Sequence, residues 1–187
     1  MAQEQLTPLQ EVPFSQARAR WARPCRLVFA VAVDAEGKAD IITLGWKTMV
    51  SSDPPMVAVA IGKGKHSHQL ISESREFVFA VPGEDLHQAA LYCGTHSGRL
   101  VDKFKEAGLT KLPAKYIKAP LIAECIINLE CKLAGQMDTG DHTIFVGEVV
   151  NAWVADDDRR PLLTVGEEGG YDLLGIGGGF RFGAIKR

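Results

Sequence analysis

No block of lysine or arginine stands out anywhere in these 187 residues, and the formal net charge is only −2, with a pI near 6.2. That leaves no basic face to neutralise a phosphate backbone, which sets nucleic acid aside as a partner. Long apolar runs are missing too: the stretches near Val28 and Val57 are far too short to span a bilayer. The segment Met1 to Glu11 is polar and lacks the charged-then-apolar pattern of a secretory leader. A cytoplasmic protein with no membrane partner is expected. Cysteine is scarce, with four residues. Cys125 and Cys131 fall on one expected strand, about 20 Å apart at strand rise and so beyond disulfide reach of each other. Reduced thiols are expected.

What is present is 46% hydrophobic and 24% charged residues, enough for one globular domain over residues 1–187 with its core at about 25–155. Leu27 to Val33 is apolar on both faces, and after the loop Asp34 to Lys38 a second strand is expected from about Ala39 to Met49. A strand apolar on both sides needs cover outside as well as inside, from helices or from a second subunit, so a homodimer is a hypothesis at this point. Asp53-Pro54-Pro55 breaks the pattern, and Met56 to Ile61 resumes it. Ser67 is expected to cap a short helix carrying Leu70 and Ile71, followed by a strand at Phe77 to Val81. Leu86, Ala89, Ala90 and Cys93 have helical spacing, with Gly94 in the left-handed position that ends the helix. Ser97 is read as the cap of a further helix with Leu100, Val101, Phe104 and Ala107, closed by Gly108. From Cys125 to Leu133 the alternation predicts a half-buried strand with Asn128, Glu130 and Lys132 on its outer face. Asp138-Thr139-Gly140-Asp141 turns it into His142 to Val154. The Gly-rich remainder shows no period.

Several motifs fail on their spacing. Gly62-Lys63-Gly64-Lys65-His66-Ser67 lacks the glycine separation of a P-loop. Gly175, Gly177 and Gly179 come too near the end of the sequence for the helix and strand of a dinucleotide fold. Cys93 and His96 have metal-like spacing, and His66 with His68 adds two possible ligands, yet no four-ligand set is completed. Cys93 as a nucleophile, with His142 or His96 as base, competes with plain packing at a helix end, and packing is preferred.

Lys65, His66, Ser67 and His68 put a fixed charge, two titratable rings and a hydroxyl at a helix start, where free amides and the dipole both favour a phosphate monoester. A solvated loop with an ordinary serine cap accounts for the same residues equally well.

The order of motifs through this region resembles the flavin reductase-like family of FMN-binding split barrels, most closely its flavoredoxin branch. Its carriers span Val28 to Val154. They are Thr43-Leu44-Gly45-Trp46-Lys47-Thr48 leading into Val50-Ser51-Ser52-Asp53-Pro54-Pro55, then Lys65-His66-Ser67-His68. Cys93-Gly94-Thr95-His96-Ser97-Gly98-Arg99, Asp102-Lys103-Phe104 and Gly140-Asp141-His142 before Val146-Gly147-Glu148-Val149 complete the set. The resemblance implies a mainly β fold, an antiparallel Greek-key split barrel with a few short helices, and FMN as cofactor. It places Thr43 to Thr48, with Ser51, along the isoalloxazine ring and Lys65 to His68 at the phosphate. Gly45 leaves room for close approach, while Trp46 either borders the ring or packs in the barrel wall. Cys93, Gly94, Ser97 and Gly98 look like the loop that closes over the flavin, with Lys103 and Phe104 following. Lys103 is read either as a cation that stabilises reduced flavin or as an ordinary exposed lysine. His142, at a barrel mouth, takes a minor catalytic role.

The resemblance therefore implies an FMN-containing oxidoreductase that passes electrons from NAD(P)H or a protein donor to free flavin, a ferric complex or a redox protein. Two other readings are an electron-carrier module with no turnover of its own, serving a partner reductase or monooxygenase, and a dimeric scaffold with no cofactor.

Overall fold

The computed structural model describes residues 9–167 and 171–186. A helix α1 (Phe14–Trp21) and a two-residue strand β1 (Cys25–Arg26) lead into β2 (Val28–Val33), β3 (Ala39–Leu44), β4 (Lys47–Ser52) and β5 (Pro55–Gly62). Then come α2 (His66–Ser74), β6 (Glu76–Val81), α3 (His87–Thr95) and α4 (Lys103–Glu106). The short β7 (Lys111–Leu112) and β8 (Leu121–Ile122) precede the long hairpin of β9 (Ile127–Thr139) and β10 (His142–Val154). The chain ends in β11 (Leu163–Thr164), β12 (Tyr171–Gly177) and β13 (Phe180–Ile185). Among the described residues no helix is long and apolar enough to cross a membrane.

The main sheet is antiparallel with seven strands in the order β3-β2-β6-β9-β10-β5-β4. Its two outermost strands, β3 and β4, are consecutive in the chain and joined only by Gly45 and Trp46. Two residues reach about 10 Å, so the two edges must lie side by side and the sheet must curl. No ladder closes the seam between them, which makes this an open, split barrel of Greek-key order. The expected single strand from Ala39 to Met49 is thus corrected to two strands on opposite edges, with Trp46 O accepting from Ala60 N across the corner. Local patterning could not show this, because both halves read as strand.

Inside the curl, Val28, Ala30, Ile42, Val59, Ile61, Phe77 and Phe145 pack together with Leu70 and Ile71 from α2. Burying rings such as Phe77 and Phe145 contributes about 1.5–3 kcal/mol each. Gly147 makes room for one of them: a Cβ there would stand 2.6 Å from Phe77 Cζ and 2.8 Å from Cys131 Cβ. The outer face of β2, β3 and β6 carries Phe29, Val31, Ile41 and Val78, covered by Ala90 and Cys93 of α3, Phe104 of α4, Leu121 and Ile122 of β8, and Leu162 and Phe182. This chain's own helices and C-terminal strands therefore supply the outer cover, and the core extends beyond the expected limit at about 155. The unread Gly-rich tail forms the β12–β13 hairpin, turning at Gly178 and Gly179 with φ of +55° and +77°; its residues 168–170 lie outside the described residues.

Three end signals resolve differently from expectation. Ser67 sits inside α2, whose N-terminus has no side-chain cap. Gly94 lies within α3, which runs on to Thr95. The helix expected from Ser97 begins only at Lys103, capped by Asp102, whose carboxylate accepts from Phe104 N and Lys105 N, while Gly108 takes the expected left-handed φ of +67°. On β9 the outer face is not solvated throughout: Asn128 and Glu130 are buried. The Glu130 carboxylate accepts from Lys115 N, Tyr116 N, Asn151 Nδ2 and Trp153 Nε1 at 2.6 to 3.1 Å. Burial opposes its charge, but these donors outweigh it and hold its carboxyl below the ordinary range.

Candidate functional site

Two adjoining cavities, about 370 and 190 Å³, open beside the seam and share Ile42, Lys65, Gly94 and Thr95 in their walls. The strand end of β3 supplies Thr43 and Leu44 to the larger one, the seam supplies Gly45 and Trp46, and the start of β10 supplies His142. The smaller is bounded by the start of α2 at Lys65, His66 and Ser67, and by Cys93, Gly94, Ser97, Gly98 and Lys103. The resemblance-derived residues are thus brought together at one cleft with a few exceptions. Lys47, Thr48 and Ser51 follow β4 away from it and line neither cavity. His68 turns toward β10, and Phe104 packs in the outer core; neither lines a cavity.

In the larger cavity Trp46 stands at the mouth, 49% exposed, so the wall-packing alternative is set aside. Its ring lies 4.6 Å from that of His142, and the Arg18 guanidinium sits 5.3 Å over its face. Arg18 and Arg23, together with Phe180 and Phe182, line the same cavity, and nothing in the sequence patterns had marked them. His142 Nδ1 is 2.7 Å from Asp141 Oδ1. The hydrogen bond from His142 is the largest of the effects that hold the Asp141 carboxyl below its usual value. With Nδ1 directed to Asp141, Nε2 remains, on the side of Gly62, to accept or give a proton.

The smaller cavity is polar. His66 Nδ1 is buried with no hydrogen-bond partner among the described residues. Burial lowers the His66 pKa, Asp40 works against that, and Arg99, Lys38 and Lys103 add to it. Lys65 has no carboxylate partner among the described residues. His68 donates from Nε2 to Thr143 Oγ1 at 2.8 Å, because the single Thr143 proton is already given to Asp138 Oδ1 at 2.7 Å.

Of the two expectations for Lys103, the exposed lysine is corrected. It borders the smaller cavity from a buried position: its side chain, 3% exposed, pairs with Asp40 Oδ1 at 3.0 Å and donates to Ile41 O at 2.5 Å and Cys93 O at 3.2 Å. Ser67 likewise spends its hydroxyl on Asp40 Oδ2 at 2.5 Å. Asp40 is the residue that sequence reasoning missed. The available signal was a lone acid inside the apolar run Ala39–Leu44, since an unpaired carboxylate is not buried there without a partner. Burial pushes the Cys93 thiol up to about 12, so it is neutral at ordinary pH and packs rather than attacks. His96 stacks on Tyr92 with ring centroids 3.9 Å apart, and among the described residues no three His, Cys, Asp or Glu groups cluster as metal ligands.

The larger cavity offers an apolar wall at Leu44, Trp46 and Phe182, and the smaller one offers groups suited to an anion: the uncapped start of α2, the Lys65 ammonium and the His66 ring.

A profile described as the flavin reductase like domain matches residues 21–171. The NADH:riboflavin 5'-phosphate oxidoreductase of Streptomyces pristinaespiralis is 29% identical over 150 residues, covering 80% of this chain and 81% of that one. A protein of Archaeoglobus fulgidus is 40% identical over 119 residues, covering 64% of this chain and 67% of its own length. In two further relatives the match spans 64% and 57% of their lengths. Among solved structures, the flavoredoxin of Desulfovibrio vulgaris (Miyazaki F) superposes with a TM-score of 0.74 at 25% identity, covering 88% of each chain.

Proposed function

Since the chain belongs to the flavin reductase-like domain family, we propose that it is an FMN-dependent oxidoreductase with the isoalloxazine in the larger cavity and the phosphate in the smaller. The carrying observation is that the two cavities share Ile42, Lys65, Gly94 and Thr95 as common wall, one otherwise lined mostly by apolar and ring side chains, the other by the α2 start and a His66 nitrogen with no hydrogen-bond partner among the described residues. The similarity to an NADH:riboflavin 5'-phosphate oxidoreductase supports FMN and a nicotinamide donor. Bound there, the flavin would supply the redox chemistry, between NAD(P)H or a protein donor and free flavin, a ferric complex or a redox protein as acceptor.

The chain's own contribution is to hold and tune. Leu44 and Phe182 exclude water from the ring, Gly45 leaves its main chain accessible, and Lys65 with the α2 amides neutralises the phosphate. His142, oriented by Asp141, holds or releases a proton at Nε2 beside the ring. A homodimer is part of the proposal, supported by the exposed edge strand β4, which presents Met49 and Val50, 74% and 47% exposed. The test is a visible spectrum of the purified protein, followed by steady-state oxidation of NADH and NADPH with FMN or ferric citrate. A yellow protein that oxidises neither would sink the reductase reading and leave an electron-carrier module; a colourless one whose melting temperature ignores FMN would sink both.

A further inference from the structure

The smaller cavity is bounded by segments that share no sheet or helix: the start of α2, with Lys65 and His66, the end of α3 with the loop after it, and Lys103 of α4. They are instead gathered on one carboxylate. Asp40 is 2% exposed on β3. Its Oδ2 accepts from Ser67 at the start of α2. Its Oδ1 lies 3.0 Å from the Lys103 ammonium, which also donates to Cys93 O near the end of α3 and Ile41 O on β3 itself. The loop after α3 closes over the same group: a Cβ on Gly98 would stand 2.1 Å from Asp40 Oδ1, so only glycine lets that main chain approach so near. The segments that bound the smaller cavity thus meet at Asp40 or at the cation paired with it.

We propose that Asp40 is the positioning residue of the phosphate subsite: through Ser67 and Lys103 it fixes the α2 start and the 93–98 loop at the spacing a phosphate needs, without touching the ligand. This rests on the reading that a flavin phosphate occupies the smaller cavity. Lys103 has a second part in the same device. It cancels a carboxylate that would otherwise repel the ligand, so that Asp40 can brace an anion site from behind.

The two effects of removing Asp40 have opposite signs, which makes the test sharp. Loss of a nearby anion alone would tighten phosphate binding; loss of the brace weakens it. The affinities of the full chain for FMN and for riboflavin, which lacks the phosphate, are measured by flavin fluorescence for the wild type, Asp40→Ala and Asp40→Asn. The expected result is that Asp40→Ala weakens FMN by about tenfold and leaves riboflavin within about twofold, while Asp40→Asn, which keeps an acceptor for Ser67, recovers most of the loss. Unchanged or tighter FMN binding by Asp40→Ala overturns the proposal, as does an equal loss for both flavins, which would mark general loosening. If Asp40→Ala does not fold, Ser67→Ala decides, because it cuts the link from Asp40 to α2 and leaves the Asp40–Lys103 pair intact: an FMN-to-riboflavin preference below that of the wild type supports the brace, and an unchanged one overturns it. A wild type that binds both flavins equally refutes the phosphate reading itself, before any variant is compared.

Discussion

The two ends of the cleft are built on different principles. At the larger cavity most of the wall is ring faces and aliphatic side chains, with Arg18 and Arg23 among them, and the Trp46 ring at the mouth packs against His142 and under Arg18. At the smaller one the groups facing the cavity are backed by a buried ion pair, with Asp40 and Lys103 2% and 3% exposed. Ring contacts are each worth only about 0.5–1.5 kcal/mol and tolerate displacement, whereas a buried charge left without its partner is costly. One end therefore recognises shape and tolerates change; the other recognises charge and does not.

The largest effect that tests this contrast is on the ion pair. Lys103→Met should lower the stability of the ligand-free protein by about 3–5 kcal/mol, because it leaves Asp40 buried and uncompensated; denaturant unfolding measures this, and a loss below 1 kcal/mol would remove the distinction between the ends. Gly98→Ala should follow at about 1–3 kcal/mol, since its methyl must displace Asp40. Lys65→Ala should leave stability unchanged and weaken FMN about tenfold with riboflavin unaffected, the loss of one charge-assisted contact. At the other end, Trp46→Ala should weaken FMN and riboflavin alike, by about two- to tenfold; selective loss of FMN alone would break the comparison. The smallest effect is a pH dependence. His66 has its pKa lowered from 6.5, with burial the largest cause. The unfolded chain therefore takes up a proton more readily than the folded one. His66 thus favours folding above pH 6.5, and that contribution fades as pH falls through 6.5 toward the lower folded value. Thermal melts between pH 7.5 and about 5 should show a decline that is smaller in His66→Gln.

How much of this the sequence disclosed follows the range of the interactions. Val28–Val33, the strand after the two prolines and the turn at Asp138 to Asp141 were legible because alternation and turn residues act within a few positions. The site positions Thr43 to Trp46, Lys65 to Ser67 and His142 came from motif resemblance, and they do share one cleft. The jump at Gly45 and Trp46 from one sheet edge to the other was not legible, since nothing local distinguishes a strand that continues from one that changes neighbours. Asp40 and Lys103 lie on elements that only the tertiary fold brings together, so Asp40 drew no reading and Lys103 read as a flavin cation or an exposed lysine, not as its partner. Glu130 was hidden for the same reason: alternation put it outward, and the donors that bury it come from a distant loop and from β10.

The two-residue span between β3 and β4 carries a consequence for how this barrel can vary. A cylinder laced shut by hydrogen bonds on every side would have no bare peptide groups to offer a guest, and lengthening one of its corners would cost little. Here the corner is also the doorway. Each added residue at Gly45 or Trp46 would hold the edges farther apart and spoil the gap's width, so lengthening of this chain should be tolerated at the exposed β2–β3 loop around Glu36 and refused at the span.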